Sequence, residues 1–117
     1  MNEKKADNRI IENKKINKIE NEIYNEKNKL KDLEEMREDF VSYNKTITNC
    51  LDLLSSVKNK ESRHKYDDMY IKNNAILKSM SNIIDEKETE IKRNISNLYD
   101  EKIKEEKNKQ TEIKKNN

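Results

Sequence analysis

The chain has no glycine, no proline and no tryptophan, one cysteine, one histidine and only six aromatic side chains in 117 residues. Without glycine, turns that need positive φ are costly, and no glycine-rich loop can close around a phosphate. Without proline, no residue interrupts a helix from within. One cysteine, Cys50, excludes an internal disulfide framework. Hydrophobic residues make up 31% of the chain, against roughly 45–50% in an ordinary globular domain. Uninterrupted apolar runs stop at three residues, too short for a membrane span or for the apolar core of a signal peptide. The expectation is a chain with no membrane insertion, located in the cytoplasm or exported by a route that does not read a signal peptide.

Charge of one sign is missing as well. Lysine and arginine number 26 and the acids 24, and the two signs are mixed along the chain. Nucleic-acid binding draws its affinity from phosphate neutralisation by a basic patch, and no such patch is present. The basic residues are 22 lysines against four arginines, so the bidentate phosphate recognition of arginine is scarce too.

What the chain does have is charge, 43% of residues, and apolar residues at helical intervals. Ile16, Ile19, Ile23, Leu30, Leu33, Met36, Phe40, Tyr43, Ile47, Cys50, Leu51, Leu54 and Val57 follow one another in steps of three and four, apart from the adjacent Cys50 and Leu51 and one gap at Glu26. A second series runs from Tyr66 through Met69, Tyr70, Ile76, Leu77, Met80, Ile83, Ile84, Ile91, Ile95 and Leu98 to Ile103. Both are amphipathic-helix patterns. Between them Lys58–Lys65 offers no aliphatic, aromatic or sulfur side chain and is the expected turn, with Asn59 as the αL cap of the first helix and Ser62 as the N-cap of the second.

The two series share a centre. If the chain reverses near residue 61, positions whose numbers add to about 122 face one another: Ile10 with Ile113, Ile19 with Ile103, Ile23 with Leu98, Leu30 with Ile91, Phe40 with Ile83, Ile47 with Ile76. The predicted fold is all-α, a single antiparallel two-helix hairpin of coiled-coil type. Helix 1 spans about 8–58, the turn about 59–65 and helix 2 about 66–110, with frayed termini and a partner completing a larger helical bundle. A short internal likeness agrees with this register, since Ile16, Tyr24, Glu26, Lys27 and Lys29 recur as Ile91, Tyr99, Glu101, Lys102 and Lys104.

No catalytic, cofactor or metal site is expected. His64 and Cys50 are far from the number of ligands zinc needs, and the register sets Cys50 opposite residue 72 rather than His64. Cys50 reads as a small buried filler of the stripe. Carboxylates such as Glu34, Glu35, Glu38 and Asp39 lie among lysines at helical spacing and read as a solvated face. The stripe is interrupted by Glu26, Arg37, Asn44, Asn73 and Lys87. Apolar residues that fall off the stripe near the turn, Val41, Leu53, Ile71, Leu77 and Ile84, together with Tyr43, Tyr66 and Tyr70, are the candidate partner-binding residues, because tyrosine is enriched at binding hot spots and exposed aliphatic side chains forgo burial.

Two long helices, a polar central turn and a first arm rich in lysine, glutamate and isoleucine resemble the small helical-hairpin proteins of type VII secretion, in particular the YwqH-like partners of LXG-domain toxins. The resemblance implies a non-catalytic targeting factor or chaperone that packs beside the helical domain of the toxin before export, with a second small helical protein as a further partner. The Trp-x-Gly turn of the wider superfamily is replaced by Lys58–Lys65. The aromatic-x-x-x-acid export signal is absent: Asn28, Asn44, Ile47, Tyr70, Asn74 and Ile103 stand four residues after the six aromatics. Export would then need a signal supplied by another subunit. The competing expectation is a structural or regulatory coiled coil that forms a homo-oligomer through its own helices.

Overall fold

In a computed structural model the backbone is described for residues 2–56 and 60–115 and the side chains for 9–56 and 60–113. The chain is all-α, a hairpin of two helices, α1 (Asn2–Ser55) and α2 (Lys60–Lys115). Neither helix contains a residue that would break it: α1 begins before the expected residue 8 but ends at Ser55, short of the expected 58, and α2 runs past both of its expected limits, 66 and 110.

Helix α1 ends at serines. Ser55 Oγ donates to the carbonyl of Asp52 at 2.6 Å, Ser56 Oγ donates to that of Leu53 at 2.7 Å, and the Ser56 N–H reaches the same Leu53 oxygen at 3.3 Å. These bonds occupy carbonyls that the last turn would otherwise leave open. The expected cap Asn59 lies outside the described residues. Helix α2 begins at Lys60, so Ser62 and His64 sit within it rather than in a turn. The polar stretch 60–65 lacks apolar residues but consists of good helix formers such as lysine, glutamate and arginine. A gap in the apolar stripe therefore marks where packing thins, and the helix continues through it.

The hairpin comprises two compact units, a terminal unit of Met1–Leu30 with Thr89–Asn117 and a turn unit of Lys31–Glu88. In the terminal unit Ile19, Ile23 and Ile91 are buried, and Ile16, Leu30, Ile95, Leu98 and Ile113 are half-buried. Glu12, Glu26, Lys102, Glu105, Lys109 and Glu112 occupy the same seam. In the turn unit Leu51 and Ile84 are buried, and Leu33, Phe40, Tyr66 and Leu77 are half-buried beside Arg37, Asn44, Thr48, Ser62, Asn73 and Glu88. Along α1 the seam advances in alternating steps of four and three from Glu12 to Asn44, the repeat of a left-handed coiled coil.

Register is as expected. Arg37 reaches Asp85 at 3.0 Å in the turn unit and Lys102 reaches Glu20 at 3.4 Å in the terminal unit, each pair adding to 122. The phase of α2 near the turn differs by one residue. Ile84 and Leu77 lie in the seam, while Ile83 and Ile76, expected to face Phe40 and Ile47, are exposed. Likewise Ile103, expected to face Ile19, is exposed and Lys102 takes the seam, and Glu88 takes the place assigned to Lys87. Adjacent apolar residues leave the phase open, but counting back in sevens from Leu98 gives Ile91, Ile84 and Leu77. The coiled-coil repeat decides between neighbours. Among the described residues no helix is long and apolar enough to cross a membrane.

Candidate functional site

Most exposed large hydrophobic side chains belong to the turn unit, and their positions follow from the seam. A helix turns about 100° per residue, so the residue preceding a seam position lies on its flank. In an antiparallel pair, the flank one residue before the seam falls on the same side of the hairpin for both helices. Met36, Tyr43 and Ile47 precede the seam residues Arg37, Asn44 and Thr48, and Ile76 and Ile83 precede Leu77 and Ile84. Leu54, Met69 and Met80, each three residues past a seam position, join the same flank. All eight are exposed. They make one apolar face along one side of the turn unit, broader than a seam alone would leave.

The residues singled out in the sequence divide four ways. Tyr43 belongs to this face. Leu77 is half-buried and Ile84 is only 5% exposed, so these two are seam residues and are not open to a partner. Val41, Leu53 and Ile71 are exposed, up to 74% for Leu53. Val41 falls on the opposite flank, and Leu53 and Ile71 fall towards the backs of their helices, so the three form no common patch. Tyr66 is half-buried at the seam and stacks on Tyr70 with ring centroids 6.1 Å apart and planes at 27°. That pair lies away from the apolar face. Cys50, expected to be buried, is exposed. Sequence reasoning missed Met36, Ile47, Leu54, Met69, Ile76, Met80 and Ile83 because it counted them as stripe. The sevenfold step from Leu98 would have exposed the error on α2.

Charge is graded along the same unit. Residues 31–44 and 79–88 carry three basic and eight acidic side chains, whereas 45–56 and 60–78 carry six basic and four acidic. At the acidic end Arg37 gathers carboxylates from both helices. Its Nη1 donates to Asp85 Oδ1, its Nη2 to Glu88 Oε2, and Glu34 stands 4.0 Å from its Nε. The hydrogen bond to Asp85 and the charges of Glu88, Asp85 and Glu34 hold the guanidinium pKa above its ordinary value, against a smaller opposing effect of burial.

The terminal unit is polar by comparison. Lys27 Nζ donates to the Tyr99 hydroxyl at 2.8 Å, joining members of the two similar segments. Lys29 bonds Glu26 at 2.9 Å. The Glu12 carboxyl is held above its ordinary value of 4.5, first by the hydrogen bond it shares with Glu105, then by burial and by the like charge, with Lys15 opposing. Oε2 of Glu12, of Glu26 and of Glu105 is buried without a donor. Open grooves of about 270 to 510 Å³ along this seam are lined mainly by glutamate, asparagine and lysine. Among the described residues no three His, Cys, Asp or Glu side chains are grouped to hold a metal ion. No protein-family model, curated protein or solved structure matches the chain.

Proposed function

We propose that this chain is a non-catalytic helical partner protein that works by packing the apolar face of its turn unit against other helices. The observation that carries the reading is that face itself. Eight large hydrophobic side chains are exposed on one side of a hairpin whose seam is otherwise well specified. A coiled-coil hairpin that is complete by itself needs one stripe on each helix, and a second stripe beside it is the pattern of a helix in a larger bundle. The resemblance to type VII secretion partners supplies the setting: the helical domain of an LXG-type toxin as the partner, assisted export as the outcome, and an export signal contributed by another subunit. A second reading, homotypic association as in a structural coiled coil, is favoured by the spacing of the same residues.

Co-expression with the helical domain of a toxin encoded beside this gene, followed by size-exclusion chromatography with mass determination, tests the first reading. A stoichiometric complex that is lost when Tyr43 and Ile47 are changed to Ser supports it. Recovery of the two proteins apart, with both folded, overturns it.

A further inference from the structure

The exposed face has a spacing that suits its own reversal. On α1 the residues Met36, Tyr43, Ile47 and Leu54 are separated by seven, four and seven positions, an order that is the same in either direction. On α2 the face residues Met69, Ile76 and Met80 with Lys87, which lies on the same flank one residue before the seam residue Glu88, repeat the seven, four, seven spacing, and Ile83 lies between the last two. The α1 set is symmetric about position 45 and the α2 set about position 78, and in a hairpin centred near 61 those two positions lie at the same level.

We infer that the face is covered by a second copy of this chain, turned end for end, so that the two turn units form an antiparallel four-helix bundle. The inference rests on the reading of the face as a docking surface and names its occupant. A two-fold axis across the bundle at the level of residues 45 and 78 sets α1 against α1 of the other copy, Met36 on Leu54 and Tyr43 on Ile47. It sets α2 against α2, Ile76 on Met80, while Lys87 lays its alkyl stem over Met69. Such an interface is isologous and closes at two copies.

Charge selects this orientation over the parallel one. The acidic end of the turn unit, residues 31–44 and 79–88, comes to lie beside the basic end of the other copy, residues 45–56 and 60–78. A parallel arrangement would bring the eight acids of one copy beside the eight of the other. Opposed like charge disfavours an association and opposed unlike charge specifies it. The apolar stripes supply attraction in either orientation, and the gradient decides between them.

Mass determination in solution across a wide concentration range, combined with cysteine cross-linking in a C50S background, tests the inference. The expected mass is twice the 14.1 kDa of the chain, falling to the single-chain value in I76S/M80S with helicity retained. Chains carrying M36C, mixed with chains carrying L54C, should cross-link to one another. Chains carrying L54C alone should not, because the two-fold sets those positions about 27 Å apart along the axis, at about 1.5 Å per residue. Cross-linking of L54C chains with M69C chains, the pair that parallel copies would juxtapose, overturns the antiparallel assignment. A single-chain mass up to millimolar concentration overturns the second copy as occupant. If such a monomer binds the toxin domain through Tyr43 and Ile47, the docking reading survives without this inference.

Discussion

At the scale of single residues, the polar members of the seam carry the pH response. Glu12 and Glu105 face each other across the terminal unit with buried oxygens, and a proton on Glu12 turns one of two opposed acceptors into a donor. Because the Glu12 pKa is raised in the folded chain, the folded form binds this proton more tightly than the unfolded one. Its stabilising contribution is full below the ordinary value of 4.5 and is lost as pH rises through the raised folded value. Glu12→Gln supplies an amide donor in place of the proton. Relative to the parent, this variant should therefore melt at a higher temperature at pH 7 and at a similar one near pH 4, by circular dichroism. Lys15, the opposing cation of Glu12, is retained in both chains. A variant less stable than the parent at pH 7 would show that the pair is not in conflict.

At the scale of the helix, the one-residue phase of α2 has a measurable signature. Ile84 is 5% exposed and Ile83 54%. Ile84→Ala should cost about 2–5 kcal/mol in urea unfolding, and Ile83→Ala about 0.5 kcal/mol or less in the isolated hairpin. Equal costs would mean that α2 is turned between the two phases. The same pair shows what could be seen in the sequence. The helices and their common centre were legible because the intervals of three and four persist over some forty residues, and the ion pairs Arg37–Asp85 and Lys102–Glu20 obey that centre. The phase was misjudged where Ile76 and Leu77, or Ile83 and Ile84, stand side by side, since either of two neighbours satisfies a local helical pattern. The exposed face was lost with it, because its members were assigned to the seam. The early start of α2 was hidden for a different reason: Lys60–Lys65 has no apolar residue to signal a helix, yet nothing in it opposes one.

At the scale of the whole molecule, the proposed assembly would add burial to a chain that has little of its own. Ordering each residue costs about 1–2 kcal/mol of backbone entropy, and among the described residues five hydrophobic side chains are buried. A chain so constituted should gain stability by mass action when the face is covered. Its melting temperature is therefore expected to rise across a hundredfold increase in concentration, and a sharp transition that ignores concentration would show the hairpin to be self-sufficient. The nesting of the two arms also orders events in time. Arg37 closes on a residue 48 positions away, whereas Lys27 waits for Tyr99, 72 positions on. On a ribosome that adds about 5–20 residues per second, the earlier isoleucines, Ile19 and Ile23, are made several seconds before their opposite strip exists. During that interval the newborn arm has no strip of its own chain to cover it. Its protection from wrong encounters then rests on charge alone, which gives the density of lysine and glutamate along α1 a role in synthesis as well as in the finished fold.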